Sequence, residues 1–195
     1  MDKEQIVKDM IIAIGDNPNR IGLKDTPKRI VKMWNEIFKG YFLENIPKVT
    51  VFPNGEDGLI YDQMIIDSGK YYSHCEHHGV PFFGEYYFGY IPSIDGDILG
   101  LSKVARVVEF YSSKLQVQER LGQEIVSYLW ECLEKNSGVS PKGMILVLKG
   151  KHLCKCMRGV KNEGAMVTST IKGNFSNNTV KDEFLSLINL KGGNS

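Results

Sequence analysis

The chain has 195 residues, 42% hydrophobic and 24% charged, a size and balance that fit one globular domain with a proper core and exclude disorder. Lysine and arginine number 24 against 23 acidic residues, so no overall basic field points to nucleic acid and any anion site must be local. The longest apolar runs, such as MIIAI and MILVL, are five residues, far below the ~20 that cross a bilayer; the mixed-charge N-terminus has no signal-peptide pattern, so a cytoplasmic address without a membrane partner is expected.

In chain order, Ile6, Met10, Ile11 and Ile14 form one apolar stripe over residues 2–14, which GDNPNR ends. A second helix follows, with Thr26 as N-cap, Pro27 in its first position, and Ile30, Met33, Trp34, Ile37 and Phe38 at helical spacing until Gly40. These two make an N-terminal helical hairpin, residues 1–47. From residue 48 to about 92 the β-branched and aromatic segments KVTVF, LIYDQMIID and PFFGEYYFGYIP read as strands. Helices are expected over Ser102 to about Lys114 and Gln118 to about Lys135, the second with Leu121, Ile125, Leu129 and Leu133 on one face. GMILVLKGKHLCKCMRG and AMVTSTIKGNF return to strand character and TVKDEFLSLIN closes with a short helix. The order αα-ββ-αα-ββ-α is an α+β arrangement, a single domain with its main part at 48–190 and a flexible tail at 191–195.

All four histidines, His74, His77, His78 and His152, fall in two clusters that also hold three of the four cysteines. A cytoplasmic chain of this size neither permits nor needs disulfide staples, so the thiols suit metal binding or plain burial. Cys75 and His78 have C-x-x-H spacing, which lets a thiolate and an imidazole converge on one tetrahedral ion, and zinc suits that pair. Cys154 or Cys156 can supply a third donor: a strand through KHLCKCMRG would set His152, Cys154, Cys156 and Arg158 in one row. Spacing alone does not choose the cysteine. It also leaves open a closed four-donor structural site, a three-donor catalytic site with a place for water, and no metal at all. HCE matches the H-x-E of zinc deaminases, but their P-C-x-x-C is missing, and H-E-x-x-H is absent.

Two further groups carry charge. GLSKVAR sets Ser102 at a helix N-terminus with Lys103 and Arg106 beside it, where free N–H groups and the helix dipole favour an anion. Arg29 and Arg158 are ambiguous in isolation. Glu119 in LQVQERL reads either as a solvated helix residue or as a carboxylate that accepts two parallel hydrogen bonds from an amidine-like edge such as that of guanine.

Taken in order, GLKDTPKRIVKMWNEIFKGY, SHCEHHGVPFFG, GYIP, GLSKVARVVEFYSSKLQVQERL, HLCKCMRGV, TSTIKGNF and EFLSLI resemble the GTP cyclohydrolase I family across about residues 15–190. The resemblance implies one Zn2+ per chain held by Cys75, His78 and Cys154, with Cys156 outside the metal shell. It implies proton transfer by His77 and His152, an active-site Ser102, triphosphate contacts from Lys103, Arg106, Arg158 and Arg29, and guanine recognition by Gln118 with Glu119. The reaction implied is opening of the guanine ring of GTP, loss of formate and formation of 7,8-dihydroneopterin triphosphate. The fold implied is the tunnelling fold, an antiparallel sheet with two helices on one face, assembled into a homodecamer with active sites between subunits. Three positions depart from the family pattern: Tyr87 where histidine is usual, and Gly122 and Lys151 where threonine is usual. Two other readings share the site: a zinc nucleotide hydrolase that stops at a ring-opened intermediate, and a non-catalytic zinc-stabilised oligomer that binds nucleotide.

Overall fold

The computed structural model describes residues 1–100 and 102–192, with side chains described through 189. Two helices come first, α1 (Lys3–Ala13) and α2 (Thr26–Ile37). The Asp2 side chain caps α1 by accepting from the Glu4 and Gln5 backbone N–H groups at 3.0 and 3.3 Å, which satisfies donors that a helix start leaves open. The apolar stripe of α1 is narrower than expected: Val7 and Ile11 are buried, whereas Ile6, Met10 and Ile14 are exposed. Packing against α2 covers one i,i+4 pair and leaves the flanks in water. In α2, Thr26 is the first helical residue rather than the cap, Asp25 takes the cap position, and Pro27 sits in the first turn.

Strands β1 (Val51–Pro53), β2 (Ile65–Cys75), β3 (Pro81–Ile91) and β4 (Asp97–Leu99) follow. Residues 59–64, expected to open a strand, are irregular. The Asn54 amide takes over the backbone there: its oxygen accepts from Tyr61 N at 2.8 Å and its nitrogen donates to Tyr61 O at 2.7 Å, which competes with a strand ladder. Next come α3 (Ser102–Ser112), β5 (Leu115–Gln116), α4 (Gln118–Ser137), β6 (Gly143–His152), the single-turn α5 (Leu153–Cys156), β7 (Met166–Gly173) and α6 (Asn178–Gly192). Of the tail expected at 191–195, residues 193–195 lie outside the described ones and α6 runs through Gly192.

The architecture is mixed α+β. A five-stranded sheet has the order β5-β2-β3-β6-β7, antiparallel from β2 through β7 with β5 parallel to β2, and β1 pairs with β4 separately. The aromatic run of β3 divides by strand alternation: Phe82, Tyr86, Phe88 and Tyr90 enter the core shared with α3 and α4, while Tyr87 and Ile91 join the smaller cluster around Phe175 and Phe184 on α6's side. Leu121, Ile125, Leu129 and Leu133 of α4 are all buried, each stabilising the packed helix by about 2 kcal/mol. Gly138, at φ 73°, ends α4 in the left-handed conformation that glycine adopts without steric cost.

The strand row expected for residues 152–158 does not form. β6 stops at His152 and residues 153–156 turn helical, where each residue rotates about 100° and i,i+2 partners diverge.

Candidate active site

β2 and β3 are joined by the turn that carries Glu76, His77 and His78. Cys75, the last residue of β2, is buried; its N–H donates to Val80 O at 2.9 Å and its C=O accepts from Gly79 N at 2.8 Å, which closes the turn tightly. The β3–β6 register sets Phe82 opposite His152, so α5 starts beside this turn and brings Cys154 in. Donor atoms of Cys75, His78 and Cys154 all lie within 4.8 Å of one another. Two sulfurs and an imidazole nitrogen are a donor set that suits a tetrahedral metal with one position left over. Cys156 is buried and is not part of this group. Burial pushes the Cys154 thiol up, and the neighbouring Cys75 sulfur adds to the shift.

The histidines differ in their surroundings. His77 Nδ1 lies 3.7 Å from Cys75 Sγ. His78 Nε2 lies 2.9 Å from Arg158 Nη1; a guanidinium only donates, so this imidazole nitrogen accepts. His152 stacks almost parallel on Phe82, with centroids 4.5 Å apart and a 6° interplanar angle, and its Nε2 is 3.0 Å from Gln118 Oε1. Burial pushes the His152 imidazole down, the Glu119 charge opposes and Lys155 adds to the fall. His74 stands apart from the donor group: its ring packs on Phe38 at 5.2 Å and its Nδ1 is buried without a partner among the described residues.

The turn is docked onto the start of α4. Arg120 donates from Nε to Gln116 Oε1 at 2.8 Å and from Nη2 to Leu115 O at 3.2 Å, and it pairs with Glu76. Glu76 N donates to Gln116 O at 3.1 Å. Gln118 is fully buried, whereas the adjacent Glu119 is exposed.

The cationic residues lie elsewhere. Ser102 and Lys103 line a cleft of about 820 Å³ with Asp67, Ser68, Gly69 and Lys70 of β2. Cys75 is five to eight residues further along that strand, a separation of about 15–25 Å at ~3.3 Å per residue. Arg106 borders a different depression with Asn35 and Lys39. Arg29 is exposed on α2, 3.7 Å from Asp25. The chain therefore gathers Cys75, His77, His78, His152, Cys154, Gln118 and Arg158 at one end of β2 and leaves Ser102 and Lys103 towards the other.

The three atypical positions each find a local partner. Tyr87 donates to Glu85 at 2.9 Å, away from the donor group. Gly122 faces β7, where an added Cβ would lie 2.6 Å from Thr170 Oγ1; the missing side chain allows close helix–sheet packing. Lys151 pairs with Glu163. Tyr71, Gly150, Glu76 and Arg120 were not candidates in the sequence. Glu76 and Arg120 sit inside the motifs already singled out and carry opposite charges, yet no local pattern couples residues 44 apart; Tyr71 and Gly150 carry no such signal.

A family model described as GTP cyclohydrolase I matches residues 3–189. Three similar proteins are each named GTP cyclohydrolase 1. The one from Sulfurihydrogenibium sp. is 44% identical, covering 95% of this chain and 93% of its own. The one from Dehalococcoides mccartyi is 39% identical over 97% and 96%, and the one from Streptomyces avermitilis 40% identical over 95% and 88%. A match this long, on a chain whose Cys–His–Cys group is assembled from segments 76 residues apart or more in sequence order, from Cys75 and His78 to Cys154, places the chain in the GTP cyclohydrolase I family.

Proposed function

We propose that this protein is a zinc-dependent GTP cyclohydrolase, which opens the imidazole ring of guanine in GTP, releases formate and forms 7,8-dihydroneopterin triphosphate. The observation that carries the reading is the convergence of Cys75, His78 and Cys154, with His77 at the same turn and His152 at the end of the adjacent strand. Zinc held there supplies a Lewis acid that makes water easier to deprotonate near neutral pH.

The chain's own residues do the rest. His152 and His77 move protons, a task suited to imidazole because it titrates near neutrality. Glu119 accepts from the guanine ring N–H and exocyclic amine. Ser102, Lys103, Arg106, Arg158 and Arg29 hold the triphosphate, which stays attached through the reaction and orients the base. The separation along β2 between the Ser102 cleft and Cys75 supports a site completed by a neighbouring copy, as in a homodecamer of the tunnelling fold. In this reading residues 1–47 form a helical hairpin ahead of a catalytic core at 48–190, and the enzyme works in the cytoplasm.

The test is incubation of zinc-loaded protein with GTP, with formate measured and pterin fluorescence read after oxidation. Both products are expected. Formate without a pterin would favour a hydrolase that stops early; neither product, with GTP still bound, would leave a non-catalytic zinc protein.

A further inference from the structure

The Gln118 amide has no free hydrogen-bonding capacity, and its orientation is determined by its partners. It lies fully buried at the start of α4. Its Nε2 is 3.0 Å from Leu148 O, 3.2 Å from Met166 O and 3.0 Å from Thr168 Oγ1. Two of these partners are carbonyls, which only accept, so the NH₂ group must face them; a flipped amide would set oxygen against oxygen. Oε1 then faces the other way, 3.0 Å from Tyr71 OH and 3.0 Å from His152 Nε2. An amide oxygen only accepts, so both neighbours must donate. Tyr71 does so readily, because burial raises its phenol far above the ordinary value and keeps it protonated. His152 does so only with its proton on Nε2.

Two further contacts hold the arrangement. The parallel stack on Phe82 sets the plane of the His152 ring. At Gly150 an added Cβ would lie 2.3 Å from Tyr71 OH and 2.4 Å from Gln118 Oε1, so the absence of a side chain makes room for this pair of hydrogen bonds.

We infer that Gln118 is a positioning residue for His152: its buried amide holds the imidazole as the Nε2–H tautomer and leaves Nδ1 as the nitrogen that exchanges protons with the substrate. The catalytic half of this inference rests on the proposed cyclohydrolase reading. Gln118 then reads no part of the guanine base, since both its N–H donors and its oxygen are occupied within the chain.

Histidine-selective ¹⁵N NMR of the zinc-loaded protein without substrate tests the tautomer directly, with His152 assigned by its loss in His152→Asn. A pyrrole-type Nε2 with a pyridine-type Nδ1 is expected; the opposite pattern overturns the inference. In turnover, Gln118→Met is expected to lower kcat about 100-fold, the scale of misplaced general acid–base groups, with the dissociation constant for GTP within about twofold of the parent. Gln118→Met is expected also to lose the Nε2–H signature, and its retention in that variant overturns the positioning role. Weakened GTP binding with unchanged kcat would instead make Gln118 a base-reading residue. The NMR measurement needs no turnover, so a parent that shows the Nε2–H signal but yields no formate sinks the functional reading alone.

Discussion

At the Cys75 end of β2 the polar side chains are tied to one another and to buried backbone, whereas towards the Asp67–Lys70 end Ser102 and Lys103 line an open cleft of about 820 Å³. Half-buried His152 and buried Gln118 and Tyr71 form one chain of hydrogen bonds, and Arg120 anchors Glu76 to α4. Arg29 and Arg106 are exposed, and Arg29 pairs with Asp25 at 3.7 Å, a surface contact worth little. The difference matches the roles proposed for each end. Proton transfer and metal binding need atoms held within fractions of an ångström, which only packing supplies. In the proposed reading a triphosphate would be held by charges that stay hydrated until it arrives, for which long solvated side chains suffice.

The comparison breaks most sharply at the metal. Cys154→Ala is expected to reduce zinc from about one per chain to near zero, while Cys156→Ala keeps about one, measured by elemental analysis of dialysed protein. Equal loss in both would indicate a closed four-donor site and would make the two cysteines equivalent.

The next largest effect concerns Glu119, the residue proposed to read the base. The parent is expected to favour GTP over ATP by about 10⁴-fold if the bound base and a neighbouring copy desolvate Glu119, because adenine lacks the 2-amine and would leave that carboxylate unpaired. Glu119→Ala should lose most of that preference in a binding series with both nucleotides. A parent that binds ATP as well as GTP removes the role.

Replacing His77 or His152 by alanine is expected to lower turnover by about 100-fold or more with zinc content unchanged. If zinc is lost along with activity, that histidine belongs to the metal shell rather than to proton transfer.

The smallest effect is expected at the cations outside the donor group, Lys103 at the open cleft and Arg106 on its separate depression. Lys103→Ala or Arg106→Ala should weaken GTP binding by about tenfold, roughly 1.4 kcal/mol, and flatten its salt dependence, since a screened charge contact is removed. Guanosine binding should not change. A mutant whose GTP affinity keeps the parent's salt slope would show that these cations do not meet the phosphates.

Much of this was legible in the chain. α4 follows its apolar periodicity from Gln118 onward, since Leu121, Ile125, Leu129 and Leu133 lie on one face and all are buried. α1 was less legible: its stripe contains more apolar residues than α2 covers, so Ile6, Met10 and Ile14 remain exposed. The strand expected through KHLCKCMRG ends at His152, because the alternation beyond it covers only Leu153–Cys156, too short a stretch to separate a strand from a single helical turn, and the chain adopts the turn.

By itself, the sequence determined that Cys75, His77 and His78 would be neighbours, because four consecutive positions at a strand end cannot separate, and that the charges of Ser102–Arg106 would gather at a helix start. Spacing left open which distant cysteine joins them and the resemblance implied Cys154; the tertiary structure shows that cysteine beside Cys75 and His78, and it alone shows what Gln118 touches. The β3–β6 register brings His152 opposite Phe82, and the turn after it carries Cys154, and not Cys156, into the donor group with Cys75 and His78. The docking of α4 on β6 and β7 buries Gln118 between Leu148, Met166 and Thr168. Those contacts span 30 residues or more along the chain, and pairing at such separations is set by sheet register and core packing, which no local spacing encodes.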